Sequence, residues 1–278
     1  MSHDILSIVW LSSYPKSGNT WLRALLSNYL SVDDQPVSIN QLAGGSVHID
    51  RHYFDEVMGL SSADMTGDEI AHYRPIFHQE LLQHSTGPQF VKTHDAFPCQ
   101  LSGQPLYPAG DDSAAIYLIR NPLDVLSSFA HHRNKSVDET LEFMADRDSI
   151  LRGGSADFDQ HLGSWSDHVA GWTDQRCIKS LVIRYEDMIA DTAGVFRNII
   201  EFSGLDYKVA RLQQAVQFAN FKTLQQDERA QGFSEKQPSA LSFFRSGQAG
   251  GWEDILSPCQ VDRIIARHSE VMHEFDYI

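Results

Sequence analysis

Cysteine is scarce in this 278-residue chain: only Cys99, Cys177 and Cys259, far apart and without a CxxC pair. That spacing offers neither a disulfide framework nor a structural zinc site, and points to a reduced, intracellular protein. Long apolar runs are missing too. The one near the start, "ILSIVWL", is about a third of the ~20 residues needed to cross a bilayer, and Asp4 stands where a secretion signal would carry lysine. A cytoplasmic location without membrane partners is the expectation. Positive charge is the third shortage. Twenty-two Lys and Arg face 37 Asp and Glu, a formal net charge of −15. Such a surface repels nucleic acid, so any anionic ligand has to be held by a few cations gathered in one place.

With 42% hydrophobic residues, the chain can bury a full core, and one domain over 1–278 suits its length. "ILSIVWL" has the continuous β-branched and aromatic character of a buried parallel strand. Trp21, Leu22, Leu25, Leu26, Tyr29 and Leu30 follow at helical spacing, placing a helix start near Asn19–Thr20. The alternation recurs. "QFVKTH" and "AAIYLIR" are strand candidates, and Asn121-Pro122 supplies an N-cap and first-turn proline for the next helix. "SLVIRYEDM" is a fourth strand candidate, followed by a helix that Gly204 should end. Strand–helix alternation predicts an α/β fold, three layers with a mostly parallel central sheet, whose ligands gather at the carboxyl ends of the strands. Lys16, Lys92, His94, Arg120 and Tyr185 all fall there. Three stretches, near 31–86, 133–160 and 227–251, break the alternation and are expected to be irregular lid or binding segments.

The elbow "YPKSGNTW" (Tyr14–Trp21) carries more hydrogen-bond donors than a turn needs. A strand-to-helix loop exposes unpaired N–H groups and the positive end of a helix dipole. With Gly18 for close approach, Ser17 and Thr20 as hydroxyl donors and Lys16 as a point charge, it suits a phosphate or sulfate. It is not a Walker A loop, because the lysine precedes the serine and glycine, and no carboxylate stands ready to hold magnesium. No metal site is expected.

The same elbow resembles the 5′-phosphosulfate loop of the sulfotransferases that use 3′-phosphoadenosine 5′-phosphosulfate (PAPS). "YLIRNPLDVLSSF" (Tyr117–Phe129) is similar to that family's 3′-phosphate motif. "KTH" (Lys92–His94), "RYEDM" (Arg184–Met188) and "FFRSGQAGGW" (Phe243–Trp252) follow in the family's order. The resemblance implies the P-loop-like sulfotransferase fold, PAPS as donor and a small-molecule hydroxyl or amine as acceptor. By the same resemblance His94 is the general base and Lys16 stabilises the leaving phosphate, with Lys92 assisting. Arg120 and Ser128 grip the 3′-phosphate, and the serine also engages the lysine. Ser17, Gly18, Asn19, Thr20, Arg245 and Gly247 hold phosphate, while Trp21, Tyr185 and Phe221 contact adenine. Ser246 stands where the family usually has lysine, Asn19 where threonine is common, and Ala219 where many relatives have threonine; the first change predicts weaker donor retention.

Acceptor recognition is expected in the three irregular stretches. His48, His52, Tyr53, Phe54, Tyr73, Phe77 and His78 are candidates to line a pocket for a phenol, a steroid-like alcohol or a glycosylated metabolite. The elbow also resembles bacterial enzymes that sulfate glycopeptides and other secondary metabolites. Competing readings are a small-molecule kinase, which would need ATP and a divalent metal, and a non-catalytic PAPS-binding module, which would need no base. A homodimer is left open.

Overall fold

The computed structural model describes residues 6–83, 88–97, 106–237 and 242–278. Its centre is a four-stranded, fully parallel sheet in the order β2-β1-β3-β6, with β1 Ile8–Ser13, β2 Gln89–Thr93, β3 Ser113–Ile119 and β6 Lys179–Arg184. β1 and β3 are buried along their whole length. Alternate side chains therefore feed two separate cores. Trp10, Ala115, Tyr117 and Ile119 enter one; Val9, Leu11, Ile116 and Leu118 enter the other. Helices cover both faces, giving the expected three layers.

α1 (Asn19–Leu30) follows β1 and packs on α9 (Val209–Phe218). α4 (Pro122–Arg133) follows β3, with the Asn121 side chain accepting from the Leu123 N–H as its N-cap. The strand anticipated over "SLVIRYEDM" ends at Arg184, and Tyr185 opens the short α7 (Tyr185–Ala190). α8 (Thr192–Phe202) ends at Ser203, and Gly204 follows in the left-handed conformation at φ 69°.

Two of the segments expected to be irregular contain regular elements. Residues 31–86 contain α2 (Arg51–Met58) and α3 (Gly67–Gln83). Residues 133–160 contain α5 (Val137–Ala145) and a hairpin of β4 (Ile150–Leu151) with β5 (Gln160–His161). The helical pattern was obscured because buried polar side chains occupy core positions. His48 and His78 are fully buried and pack in the same core as Trp10. The third segment, 227–251, begins inside α10 (Phe221–Gln231) and continues without helix or strand over its described residues. α11 (Pro258–Glu274) closes the chain against α6 (Trp165–Asp174). Cys177 and Cys259 are free thiols at the surface; Cys99 lies outside the described residues.

α6 approaches the β2 edge at Gly171, where a β-carbon would sit 1.8 Å from the Phe97 carbonyl oxygen. The neighbouring Trp172 indole donates to the Asp95 carbonyl at 3.0 Å, fastening the helix to the segment that follows β2. Since backbone, unlike a flexible side-chain tip, cannot step aside, Gly171→Ala should destabilise the fold by about 1–3 kcal/mol. Urea denaturation of the two proteins measures this; an unchanged midpoint would contradict the contact.

Candidate active site

Because the four strands are parallel, their carboxyl ends share one edge. The loop after β1 brings Lys16, β2 leads into His94, β3 into Arg120 and β6 into Tyr185. A cleft of about 690 Å³ opens along this edge and is bordered by all four. Lys92, Ser128, Trp21, Phe221, Arg245 and Gly247 border it as well, as do Gly18, Asn19 and Thr20. Of the catalytic and donor-binding residues singled out from sequence only Ser17 does not; its hydroxyl is buried and lacks a partner among the described residues.

The β1–α1 elbow owes its shape to specific restraints. Lys16 adopts φ 71°, left-handed for a residue with a β-carbon, at a cost of about 1–2 kcal/mol. Arg120 holds it there: Nη1 donates to the Lys16 carbonyl at 3.1 Å and Nη2 to the Gln248 carbonyl at 3.0 Å. Asn19 turns its amide inward, Nδ2 donating to the Leu11 carbonyl at 2.7 Å and to Ser13 Oγ at 3.3 Å. Its side chain thus braces the loop, and contact with a ligand is left to its backbone. Gly18 has φ 104° and no room for a side chain, since a β-carbon would meet the Tyr185 ring at 2.6 Å. No side chain caps α1. Among the described residues the N–H groups of Gly18, Asn19 and Thr20 make no hydrogen bond. Together with the orphaned Ser17 hydroxyl and the buried, unpaired Arg120 Nε, they form a donor cradle that fits a tetrahedral anion.

The Lys16 ammonium lies 3.7 Å from the centroid of the Phe243 ring and makes no ion pair among the described residues. Burial, then the nearby charges of Lys92 and Arg120, lower its pKa to about 7. Lys92 is different. Its Nζ donates to Glu235 Oε2 at 2.8 Å, and Glu235 Oε1 accepts from Arg23 Nη1 at 2.5 Å. Burial opposes ionisation of Glu235, yet Lys92 and Arg23 outweigh it and hold the carboxyl at about 2.

His94 is clamped at three points. Its Nδ1 is 2.7 Å from the Ser13 carbonyl, which can only accept, so that nitrogen carries the proton and Nε2 keeps its lone pair. Its N–H donates to Gln160 Oε1 at 3.0 Å. Its carbonyl accepts from His168 Nε2 at 3.1 Å, and His168 Nδ1 in turn accepts from the Tyr117 hydroxyl at 2.9 Å. Burial, then Lys92, keep the His94 pKa well below 6.5, so the ring is neutral at physiological pH. Next to it, Asp95 bonds Arg74 at 2.7 Å and the His161 N–H at 2.9 Å.

At the far end the Arg120 guanidinium lies 4.4 Å from the Tyr185 ring centroid. Tyr185 meets Trp21 edge to face at 5.8 Å, and the Trp21 indole donates to the Ala219 carbonyl at 3.0 Å. Gly247 lets the chain pass Phe221 so closely that a β-carbon would lie 2.2 Å from its ring. Sequence reading passed over Glu235, Gln160, His168 and Phe243. Only Phe243 lay within a quoted motif; the others act across long sequence separations that leave no local pattern.

A model of the sulfotransferase domain matches residues 6–276, and the chain belongs to that family as a PAPS-dependent sulfotransferase. It is 25% identical to sulfotransferase 2A2 of Mus musculus over 268 residues, covering 95% of this chain and 83% of the relative. Cytosolic sulfotransferase 17 of Arabidopsis thaliana is 26% identical over 92% of this chain and 71% of its own length. The fold matches mouse sulfotransferase SULT7A1 complexed with PAP (the desulfated nucleotide) at TM-score 0.62, 19% identity and coverage of 98% and 85%. Retinol dehydratase in complex with retinol and PAP matches at TM-score 0.62 with 20% identity, over 96% of this chain and 81% of that one. Among the described residues no helix is long and apolar enough to cross a membrane.

The lysine pKa sets a pH dependence. Below about 7 Lys16 is an ammonium and attracts an anionic nucleotide; above it the charge is lost. PAP affinity should therefore weaken as pH rises through 7, by at most about tenfold per unit. Calorimetric titration from pH 6 to 9 checks this, and Lys16→Met should flatten the curve.

Proposed function

We propose that this protein moves the sulfuryl group of PAPS to a hydroxyl, or an amine, of a small-molecule acceptor, with His94 as general base and Lys16 stabilising the leaving phosphate. The observation carrying this reading is the pairing, in one cleft, of a carboxylate-free lysine with a histidine whose tautomer leaves Nε2 open. PAPS supplies a sulfuryl group activated by its bond to a phosphate leaving group.

The chain's own residues do the rest. The unpaired N–H groups of Gly18, Asn19 and Thr20 and the Lys16 ammonium surround the 5′-phosphosulfate and offset negative charge as it builds on the bridging oxygen. Lys16 is well suited to this. A lysine with a pKa near 7 holds its proton loosely enough to share it with a departing oxygen. His94 Nε2 takes the acceptor proton. Its depressed pKa keeps it unprotonated and ready, at the expense of basicity. Lys92, borne on the same strand, adds positive charge where the sulfuryl group passes, tempered by Glu235.

Arg120, Ser128 and Arg245 receive the 3′-phosphate, and Trp21, Tyr185 and Phe221 receive the adenine. Stacking on such rings is worth about 1–3 kcal/mol per base. Both terminal nitrogens of Arg120 already serve backbone carbonyls, and Asp124 Oδ1 lies 3.9 Å from Nη2 and offsets part of the guanidinium charge, leaving Nε for phosphate. Ser246 contributes a hydroxyl in place of a second cation.

Thermal shift with PAPS, PAP and ATP tests the donor: the first two should stabilise the protein and ATP should not. Transfer of labelled sulfate tests the chemistry. Lys16→Ala should lower turnover by about 10²–10³-fold. His94→Ala should lower it by about 10²–10⁴-fold while PAP binding stays intact. Near-normal turnover in His94→Ala would remove the histidine from the reaction.

A further inference from the structure

Beyond His94 the cleft continues toward the β4–β5 hairpin, and the residues that meet it there are not those expected from sequence. None of His48, His52, Tyr53, Phe54, Tyr73, Phe77 and His78 borders the cleft. They are spent elsewhere: the Phe54 ring packs on Phe77 and Phe158 at 5.3 and 5.1 Å, all three fully buried. What reaches the cleft instead is polar, namely Ser46, Arg152, Asp157, Gln160 and Gln237, with Ile49 and Leu151 between them.

Two of these are held in place with hydrogen-bonding capacity to spare. Asp157 pairs with Asp50 in an antiparallel bridge, and its carbonyl accepts from Arg51 Nε at 3.3 Å. Gly153 crosses behind it so tightly that a β-carbon would lie 2.3 Å from the Asp157 carbonyl oxygen. The backbone is thus fixed, while the Asp157 carboxylate makes no hydrogen bond or ion pair among the described residues. Gln160 is the second. Its Oε1 accepts from the His94 N–H, which assigns the amide's orientation and leaves the NH₂ as a donor beside the base. Arg152, by contrast, is engaged: it pairs with Asp159 at 2.5 Å.

A hydrocarbon acceptor filling this end would strip water from the Asp157 carboxylate and the Gln160 amide and return no hydrogen bond to either. A molecule with several hydroxyls would meet both, donating to the carboxylate and accepting from the amide. The chain's net charge of −15 further favours a neutral acceptor over a polyanionic one. Resting on the sulfotransferase reading above, we propose that the acceptor is a polyhydroxylated molecule, a sugar or glycoside, with Asp157 and Gln160 holding hydroxyls adjacent to the one presented to His94. In the transfer the acceptor O–H proton passes to His94 Nε2, the new O–S bond forms, and the bond from sulfur to the donor's phosphate oxygen breaks.

The experiment offers labelled PAPS together with methyl glucoside, galactoside or mannoside, or with dehydroepiandrosterone, to the intact protein and to Asp157→Asn and Asp157→Leu. At least one glycoside should be labelled with a kcat/KM about tenfold or more above the steroid's, the discrimination expected for one satisfied buried polar group. Asp157→Leu should raise that glycoside's KM by a similar factor and leave the thermal shift with PAP unchanged. Preference for the steroid, absence of label on every glycoside, or an unaltered KM in Asp157→Leu would overturn the proposal. If a variant fails to fold, the unmodified protein's choice between glycosides and steroid decides alone. The two readings separate cleanly: failure of PAP to stabilise the unmodified protein would remove the sulfotransferase reading, whereas PAP binding without glycoside labelling removes only the acceptor assignment.

Discussion

The bond from Arg120 to the Lys16 carbonyl sets the geometry of the whole cleft. A lysine rarely accepts φ 71°, and without an acceptor-side anchor the loop would relax toward an ordinary turn. Arg120 leaves β3 at its carboxyl end, whereas Lys16 leaves β1, and these strands are hydrogen-bonded neighbours. The strained turn is therefore over-determined by sheet pairing on one side and by the guanidinium on the other. The second Arg120 nitrogen reaches Gln248, so one side chain ties the anion loop to the segment passing over it. Arg120 is consequently structural and electrostatic at once. That dual use is economical in an acidic chain with few cations to deploy.

The same scarcity explains Glu235. Lys16, Lys92 and Arg120 crowd one edge of the sheet, and their mutual repulsion contributes to the depression of the Lys16 pKa. A carboxylate among them opposes anion binding, but its partners show what it balances. Glu235 is bonded to Lys92 and Arg23, not to Lys16. It offsets the charge of Lys92 and Arg23 and leaves Lys16 without a carboxylate partner, so attraction for an anion is focused at the Lys16 ammonium rather than spread along the edge. Phe243 supports that ammonium with its ring face, which offers partial negative potential without supplying a competing anion.

The sheet and the donor side of the cleft were legible in the sequence because their signals are local. A buried strand, a polar elbow and an amphipathic helix each announce themselves within a dozen residues, as "ILSIVWL" and "YPKSGNTW" do, and parallel pairing then carries their ends to a common edge. The helices within 31–86 were not anticipated, for the opposite reason. Arg74 and His78 of α3 are buried polar residues, and Arg74 finds its carboxylate partner, Asp95, across the fold, so that helix lacks a clean apolar stripe. Long-range partners were likewise invisible: Glu235 meets Lys92 across 143 positions, and Gln160 meets His94 across 66. The resemblance of "KTH" to the family's motif pointed to His94, but only the Ser13 carbonyl and the Gln160 and His168 contacts reveal how the ring and its peptide are held.

The β4–β5 hairpin joins two tasks that are separate in principle. Gln160 fixes the peptide of His94, the proposed base, and Asp157, on the same hairpin, borders the end of the cleft proposed to hold the acceptor. Asp95 reinforces the link, since its carboxylate takes the His161 N–H while the Asp95 carbonyl holds Trp172 of α6. A ligand that forces the hairpin outward therefore pulls on the hydrogen bond to the His94 N–H and on the bond between Asp95 and His161 together. Misfit is paid in base alignment as well as in lost contacts, and a shift of about 1 Å in a reacting group can cost ~10²-fold in rate. With the proposed roles, specificity would show in kcat as well as in KM, because the hairpin proposed to select the acceptor also positions the histidine proposed to deprotonate it.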